Sequence, residues 1–379
     1  MSSSEINRQF IIYYSDGTTM DVSPTISQFS IVKYNDDFTP IYDIYLTLPV
    51  SIVQTTKFYQ NISKIYCRLP LYNTDGSLYN IVYRNIFPIN IETSIPTREP
   101  SSGLTSTSLE QQFVKISCRS LDALQLYNFT SFSKSGNPIT IIKSLLPQNI
   151  GYISPPQNVT GTYTVPNQRL TDAIYYLLDR GCYASDYTFI YDRDSTQNKL
   201  SDYIFIYSID DSVNHVAKTV YFWNTKPIQP TTDNVIAKNV VPVYSQLGLA
   251  ATMPQTMQQN TYTNTSLYQT TNVNLNMPPN LGNATKSNVT PASIASTNAL
   301  RSSNFLSQAF SRGVTLQLYF DYFPQLVDLR PGQCITFNTD NLQYKQYNGK
   351  YIIKDITFTV DLDKKNYNYS VIYAKSFGF

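Results

Sequence analysis

The sequence predicts a mainly β protein, with two β-barrel-like domains and a smaller α+β insertion between them. Three observations predict it. Tyr is abundant, at 32 of 379 residues, and with Thr, Val and Ile it favours half-buried pleated surfaces, while the helix builders Ala, Glu and Lys are scarce. Period-2 alternation recurs toward both ends of the chain: Val314, Leu316, Leu318 and Phe320 are interleaved with Thr315, Gln317 and Tyr319. Turn residues punctuate the alternating stretches, at Ser15-Asp16-Gly17, Asn73-Thr74-Asp75-Gly76 and Pro331-Gly332. A chain of this length exceeds one ordinary core, so two or three domains are expected.

In chain order, residues 10–14 and 18–22 read as a hairpin over the Asp-Gly turn. Residues 26–33 and 41–48 alternate as strands, separated by Tyr34-Asn35-Asp36-Asp37. Pro49 opens a short helical or irregular connection to Tyr59. Residues 62–71 and 78–90 form the next strand pair, residues 92–108 are a Ser-, Thr- and Pro-rich loop, and residues 111–119 are a strand. Residues 1–120 are therefore expected to form a first β domain with a closed or rolled sheet.

Residues 121–211 change character. Asn137-Pro138 is an N-cap followed by Pro at the first helical position, which predicts a helix over 139–146. Leu170, Ile174, Leu177 and Leu178 fall at helical spacing within 168–180, with Gly181 at the C-cap. A hairpin of residues 187–191 and 203–209 follows, over a charged loop at 192–202. Residues 212–379 then form the second β domain. Its last part holds four strands, with an irregularity around Ile353 in the third. A long insertion interrupts it at 239–300, where Lys286 is the one charge and no periodicity is visible. Such a segment cannot bury enough apolar surface to offset its ordering entropy alone, so it is expected to order only against partners, if at all.

The order of pieces near the carboxyl end carries a resemblance. Leu329, Pro331, Gly332, Ile335 and Phe337, then Gly349, Tyr351, Ile353, Ile356 and Phe358, and a final strand of alternating Tyr and aliphatics, resemble the C-terminal tube domain of phage baseplate hub proteins. That family includes the central hub of T-even-like contractile tails and the related spikes of type VI secretion. The helix followed by the T-F-I-Y-D … Y-I-F-I-Y hairpin also resembles the family's α/β segment between its two tube domains. The resemblance implies a non-enzymatic structural protein of the virion. It further implies a homotrimeric, pseudo-hexameric ring that joins the tail tube to a central spike and surrounds a DNA channel. Implied partners are the spike, tube proteins, other baseplate proteins contacted through the 239–300 arm, and DNA that passes without specific binding.

Composition agrees with a structural role. Charged residues are 14% of the chain against about 25% in typical soluble domains, and the net charge is +2. No basic run interleaved with aromatics marks a nucleic-acid site. The amino terminus lacks the n- and h-regions of a secretory signal, and no apolar stretch is long enough for a transmembrane helix, so assembly in a host cytoplasm is expected. Cys67, Cys118, Cys182 and Cys334 are scattered singly and read as buried free thiols.

Candidate chemistry is sparse. His215 is the one histidine, and a triad or a catalytic zinc site needs an imidazole with oriented neighbours. The carboxylate pairs Asp192 with Asp194, and Asp361 with Asp363, have the composition of a glycosidase pair, but both read as solvated turns. The 192–202 loop lacks the Gly and terminal Glu of an EF-hand. Trp223, beside Tyr221 and Phe222, reads as strand core rather than a sugar platform. No catalytic, cofactor-binding or metal-binding residue is assigned. The rival reading is a receptor- or carbohydrate-binding virion protein with a β-sandwich fold, which would expose Trp or Tyr beside Asp and Asn on one loop face.

Overall fold

The computed structural model describes residues 8–94, 111–193, 202–244, 261–272, 287–291 and 314–376, apart from short stretches within these ranges. The amino-terminal unit has seven strands: β1 (Gln9–Tyr14), β2 (Thr19–Asp21), β3 (Ile26–Tyr34), β4 (Ile41–Pro49), β5 (Ile62–Tyr72), β6 (Leu78–Ser94) and β7 (Gln111–Ser120). A short helix, α1 (Val50–Thr55), follows Pro49. Alternation decides which side of each strand faces inward. In β5, Ile65, Cys67, Leu69 and Leu71 are buried while the residues between them are half-buried. The two Asp-Gly turns share one chemistry. Gly17 and Gly76 take φ of +86° and +81°, and the preceding Asp16 and Asp75 each accept the backbone N–H of the residue two positions on, at 2.8 Å.

The middle unit holds β8 (Phe129–Gly136), α2 (Pro138–Leu145), β9 (Ile150–Ile153), β10 (Gly161–Arg169), α3 (Leu170–Gly181), β11 (Tyr187–Arg193) and β12 (Asp202–Ser208), and α4 (Ile209–Asn214) leaves it. Asn137 caps α2, its side chain accepting from the Ile139 N–H at 2.9 Å. Ile174, Leu177 and Leu178 of α3 pack with Ile139 and Ile142 of α2 and with Phe189, Ile204 and Ile206 in a separate core. The antiparallel β8–β10 pair was not expected from the sequence. Its exposed face is a ladder of hydroxyls, Ser135 with Thr162 at 2.8 Å and Ser133 with Thr164 at 3.1 Å, while Tyr163 and Val165 of β10 are buried on the other face. Because β10 runs to Arg169, α3 starts directly at Leu170.

The carboxyl-terminal unit comprises β13 (Val216–Tyr221), β14 (Asn234–Ile236), β15 (Asn239–Tyr244), β19 (Val314–Phe320), β20 (Cys334–Asn338), β21 (Gly349–Asp361) and β22 (Tyr367–Ser376); β16 (Thr261–Thr265), β17 (Tyr268–Asn272) and β18 (Ser287–Pro291) form a separate three-stranded sheet. In β19 the expected alternation holds, with Val314, Leu316, Leu318 and Phe320 buried. The irregularity near Ile353 is a register shift between Ile353 and Asp355. The polar insertion differs from expectation at its start, since Asn239–Tyr244 is a strand hydrogen-bonded to β19. Its Thr- and Tyr-containing stretches also form the three short strands β16–β18, and the rest of it lies outside the described residues.

Two closed barrels do not form among the described residues. Instead one fourteen-stranded sheet runs through both β units. The seam is β21. Its first part pairs with β20 from Gly349 to Ile352, and its last part pairs antiparallel with β3, from Asp355 opposite Tyr34 to Asp361 opposite Gln28. A strand of thirteen residues is long enough to serve both neighbours. One core accordingly contains side chains from both ends of the chain, including Phe10, Phe29, Tyr42, Leu316, Ile356 and Phe358. Each such fully buried side chain stabilises the fold by about 1.5–3 kcal/mol.

Candidate functional site

Among the described residues, a buried ion network lies where the three units meet. Asp192, at the end of β11, is 1% exposed. Its Oδ2 accepts from Lys33 Nζ of β3 at 2.6 Å and from Arg330 Nε at 3.2 Å, while Arg84 Nη2 of β6 lies 3.4 Å from its Oδ1. Each cation has further acceptors. Lys33 Nζ donates to the carbonyls of Val327 and Leu329 at 2.9 and 3.1 Å. Arg84 Nε donates to the Tyr42 hydroxyl at 2.7 Å, and Arg330 Nη2 to the Arg193 carbonyl at 2.6 Å. The Arg330 guanidinium also stacks 3.6 Å from the centre of the Phe205 ring. One carboxylate thus holds residues from the amino-terminal, middle and carboxyl-terminal units.

Burial opposes ionisation of Asp192, but Lys33, Arg330 and Arg84 overcome it and hold the carboxyl well below the usual carboxylate range. Burial draws the Lys33 ammonium pKa down, an effect that Asp192 partly offsets. Arg84 and Arg330 are also disfavoured by burial, yet Tyr42 and Asp192 at the first, and Asp192 at the second, raise them above the ordinary guanidinium value. Asp202, at the start of β12, behaves oppositely. Burial pushes its carboxyl up to about 7, against the pull of Arg84. Separating the pKa values of two carboxyls is how acid/base sites are made. Here both groups are buried, Asp192 at 1% and Asp202 at 0% exposure.

The structure relocates several residues singled out in the sequence. Asp192 is not in a solvated turn: both faces of β11 are covered, so its last residues are buried with the rest. Asp194 and Asp363 lie outside the described residues, and Asp361 is half-buried at the end of β21. Trp223 is not strand core. It sits just past β13 with φ +44° and is 72% exposed, against Phe222 in an edge-to-face contact at 6.3 Å. Cys67, Cys118 and Cys334 are buried free thiols, as expected, and Cys182 lies outside the described residues. His215 is largely exposed and its Nδ1 lies 3.3 Å from Asp211 Oδ1. Ser154 Oγ donates to Asp211 at 2.8 Å and accepts from the Ser208 N–H at 2.9 Å, so Ser154 is held by the carboxylate and not by the imidazole. That order of contacts does not activate a nucleophile. Among the described residues no cluster of His, Cys, Asp and Glu has the form of a metal site, and no helix is long and apolar enough to cross a membrane.

The residues that carry the sequence resemblance are core positions. Leu329, Pro331, Ile335, Phe337, Tyr351, Ile353, Ile356 and Phe358 are all buried, and Gly332 takes φ +87° in its turn. The fold they specify is that of phage tail proteins. The chain superposes on the 43 kDa tail protein of prophage MuSo2 from Shewanella oneidensis with a TM-score of 0.53 at 10% identity, covering 98% of this chain and 97% of that one. The tail protein of Neisseria meningitidis MC58 matches with a TM-score of 0.54 at 9% identity, over the same shares. An Escherichia coli component of the type VI secretion system, similar in structure to the T4 tail proteins gp27 and gp5, superposes more loosely: TM-score 0.48, 10% identity, 94% of this chain and 75% of that one. At such identities the likeness is one of fold. No protein-family profile matches the sequence, and no curated protein matches it.

Proposed function

We propose that this protein is the structural hub of a phage tail baseplate. The observation that carries the reading is the end-to-end likeness of fold to two phage tail proteins, over 98% of this chain and 97% of each of theirs. In this reading three copies form a pseudo-hexameric ring that joins the tail tube to a central spike, and DNA passes through the opening without specific binding. The domain division at about 120 and 211 supplies two β units per copy, so three copies present six similar units. Partners beyond the ring contact the segment inserted after β15. The buried ion network supports a rigid role, since it fixes the three units of each copy to one another. Catalysis has no part in the proposal. Light scattering of the purified chain on its spike, with electron microscopy of the particles, tests it. Three copies around a central opening are expected, and six copies in equivalent environments would overturn it in favour of a tube protein.

One observation favours the second reading, a carbohydrate-binding virion protein. The exposed Trp223 borders a cleft that Tyr344, Asn239, Gln343 and Lys238 also line. Glycan binding that Trp223→Ala abolishes without changing assembly would establish it.

A further inference from the structure

Beside the ion network, between β6, β11 and the turn that ends at Asp328, lies a cavity of about 20 Å³, room for one water-sized species. Arg84, Asp192, Arg193 and Asp328 are among its lining residues. Arg193 is 8% exposed. Its Nη1 donates to the carbonyls of Ile81 and Tyr83, but its Nε–H is buried without an acceptor in the protein. A buried donor of this kind is rare in folded proteins, and rarer on a charged group.

The charges around the cavity do not balance. Lys33, Arg84, Arg193 and Arg330 converge on a junction whose carboxyl groups are those of Asp192 and Asp328. Asp328 is itself engaged by the Tyr79 hydroxyl at 2.9 Å. Asp202 does not make up the difference, because burial keeps a share of its carboxyl protonated at neutral pH. Burial and then the charge of Arg84 disfavour the Arg193 cation, as two neighbouring guanidiniums in a buried site must.

We propose that this cavity binds one small monovalent anion of the halide class, held by the Arg193 Nε–H and the adjacent Arg84 guanidinium. Water would satisfy the donor but leave the excess positive charge. Phosphate and sulfate are too large for the space. A halide meets both needs, charge and size, and acts as a third anion beside Asp192 and Asp328 at the point where the three units join.

Thermal unfolding of the full chain, titrated with sodium bromide against sodium gluconate at fixed ionic strength, reads the binding. A saturating rise in Tm of ~3 °C is expected, because a ligand bound only by the folded state stabilises it by mass action. Arg193→Gln, if folded, should lose the saturating rise and keep only the shallow linear salt response. Bromide-soaked crystals of the unaltered protein decide independently of that variant: an anomalous peak between Arg84 and Arg193 is expected. No peak, with a response that never saturates, would mean that the cavity holds water only and would overturn the proposal.

Discussion

At Asp192 a single carboxylate offsets three buried cations, so its loss leaves charge with nowhere to go. Asp192→Asn should destabilise the protein by about 3–5 kcal/mol, the usual consequence of removing one partner of a buried pair. Urea unfolding would register this as a lower midpoint at unchanged slope. Asp202 gives the opposite sign. Its folded pKa is about 7, above the ordinary carboxyl value of 3.8, so the folded state binds more protons between those limits and stability falls as pH rises through them. Asp192, whose folded pKa is depressed, contributes stability that is present above its unfolded value and is lost only in strong acid. Between pH 5 and 8 the slope therefore belongs to Asp202. Asp202→Asn should flatten it and raise Tm at pH 8 more than at pH 5; an unchanged slope would refute the assignment. Part of this was legible in the sequence. Asp192 ends the run Thr188-Phe189-Ile190-Tyr191, apolar on both faces, which signals a strand buried on both sides. The Asp, Arg and Ser residues that follow suggested a solvated turn, and the cations that neutralise Asp192 are distant in sequence.

The Pro331-Gly332 turn shows what one element contributes to docking the units. A Cβ placed on Gly332 would lie 2.9 Å from the Tyr207 Cβ and 3.2 Å from the Thr188 Cβ, so this turn packs directly on β11 and β12. Gly76, with nearly the same φ, has nothing within 4 Å of such a Cβ. Gly76→Ala should therefore cost about 1 kcal/mol from backbone strain alone. Gly332→Ala should cost roughly twice that or more, since strain and a steric clash add. Equal losses in denaturant titrations would show that the turn is loosely held. Elements with strong periodicity or turn chemistry, such as α3, β19 and the two Asp-Gly hairpins, were legible from residue order. The β8–β10 pair was not, because the alternation of Tyr163 and Val165 with Thr162 and Thr164 is brief and β8 is rich in Ser.

Over the whole molecule, the residue order points to β units at both ends with the helices between them, and to two β-barrel-like domains, the first with a closed or rolled sheet; no closed barrel is found among the described residues. Closure depends on which strand edge meets which, and period-2 alternation is silent on that choice. The edge of β3 meets β21, and a single sheet results. If three such chains assemble as proposed, the mass of the particle should be three times that of the chain, with no stable monomer at micromolar concentration. A monomer that persists under those conditions would favour the carbohydrate-binding reading. The β3–β21 pairing also has a bearing on biosynthesis. The two strands are roughly three hundred residues apart. At about 5–20 residues per second, β3 waits on the order of 15–60 s before the ribosome delivers its neighbour. Throughout that interval one side of an otherwise formed β unit has free N–H and C=O groups, a template for pairing with another nascent chain. The crowding of polysomes, rather than the stability of the finished protein, then sets how much of the newly made chain reaches its native state.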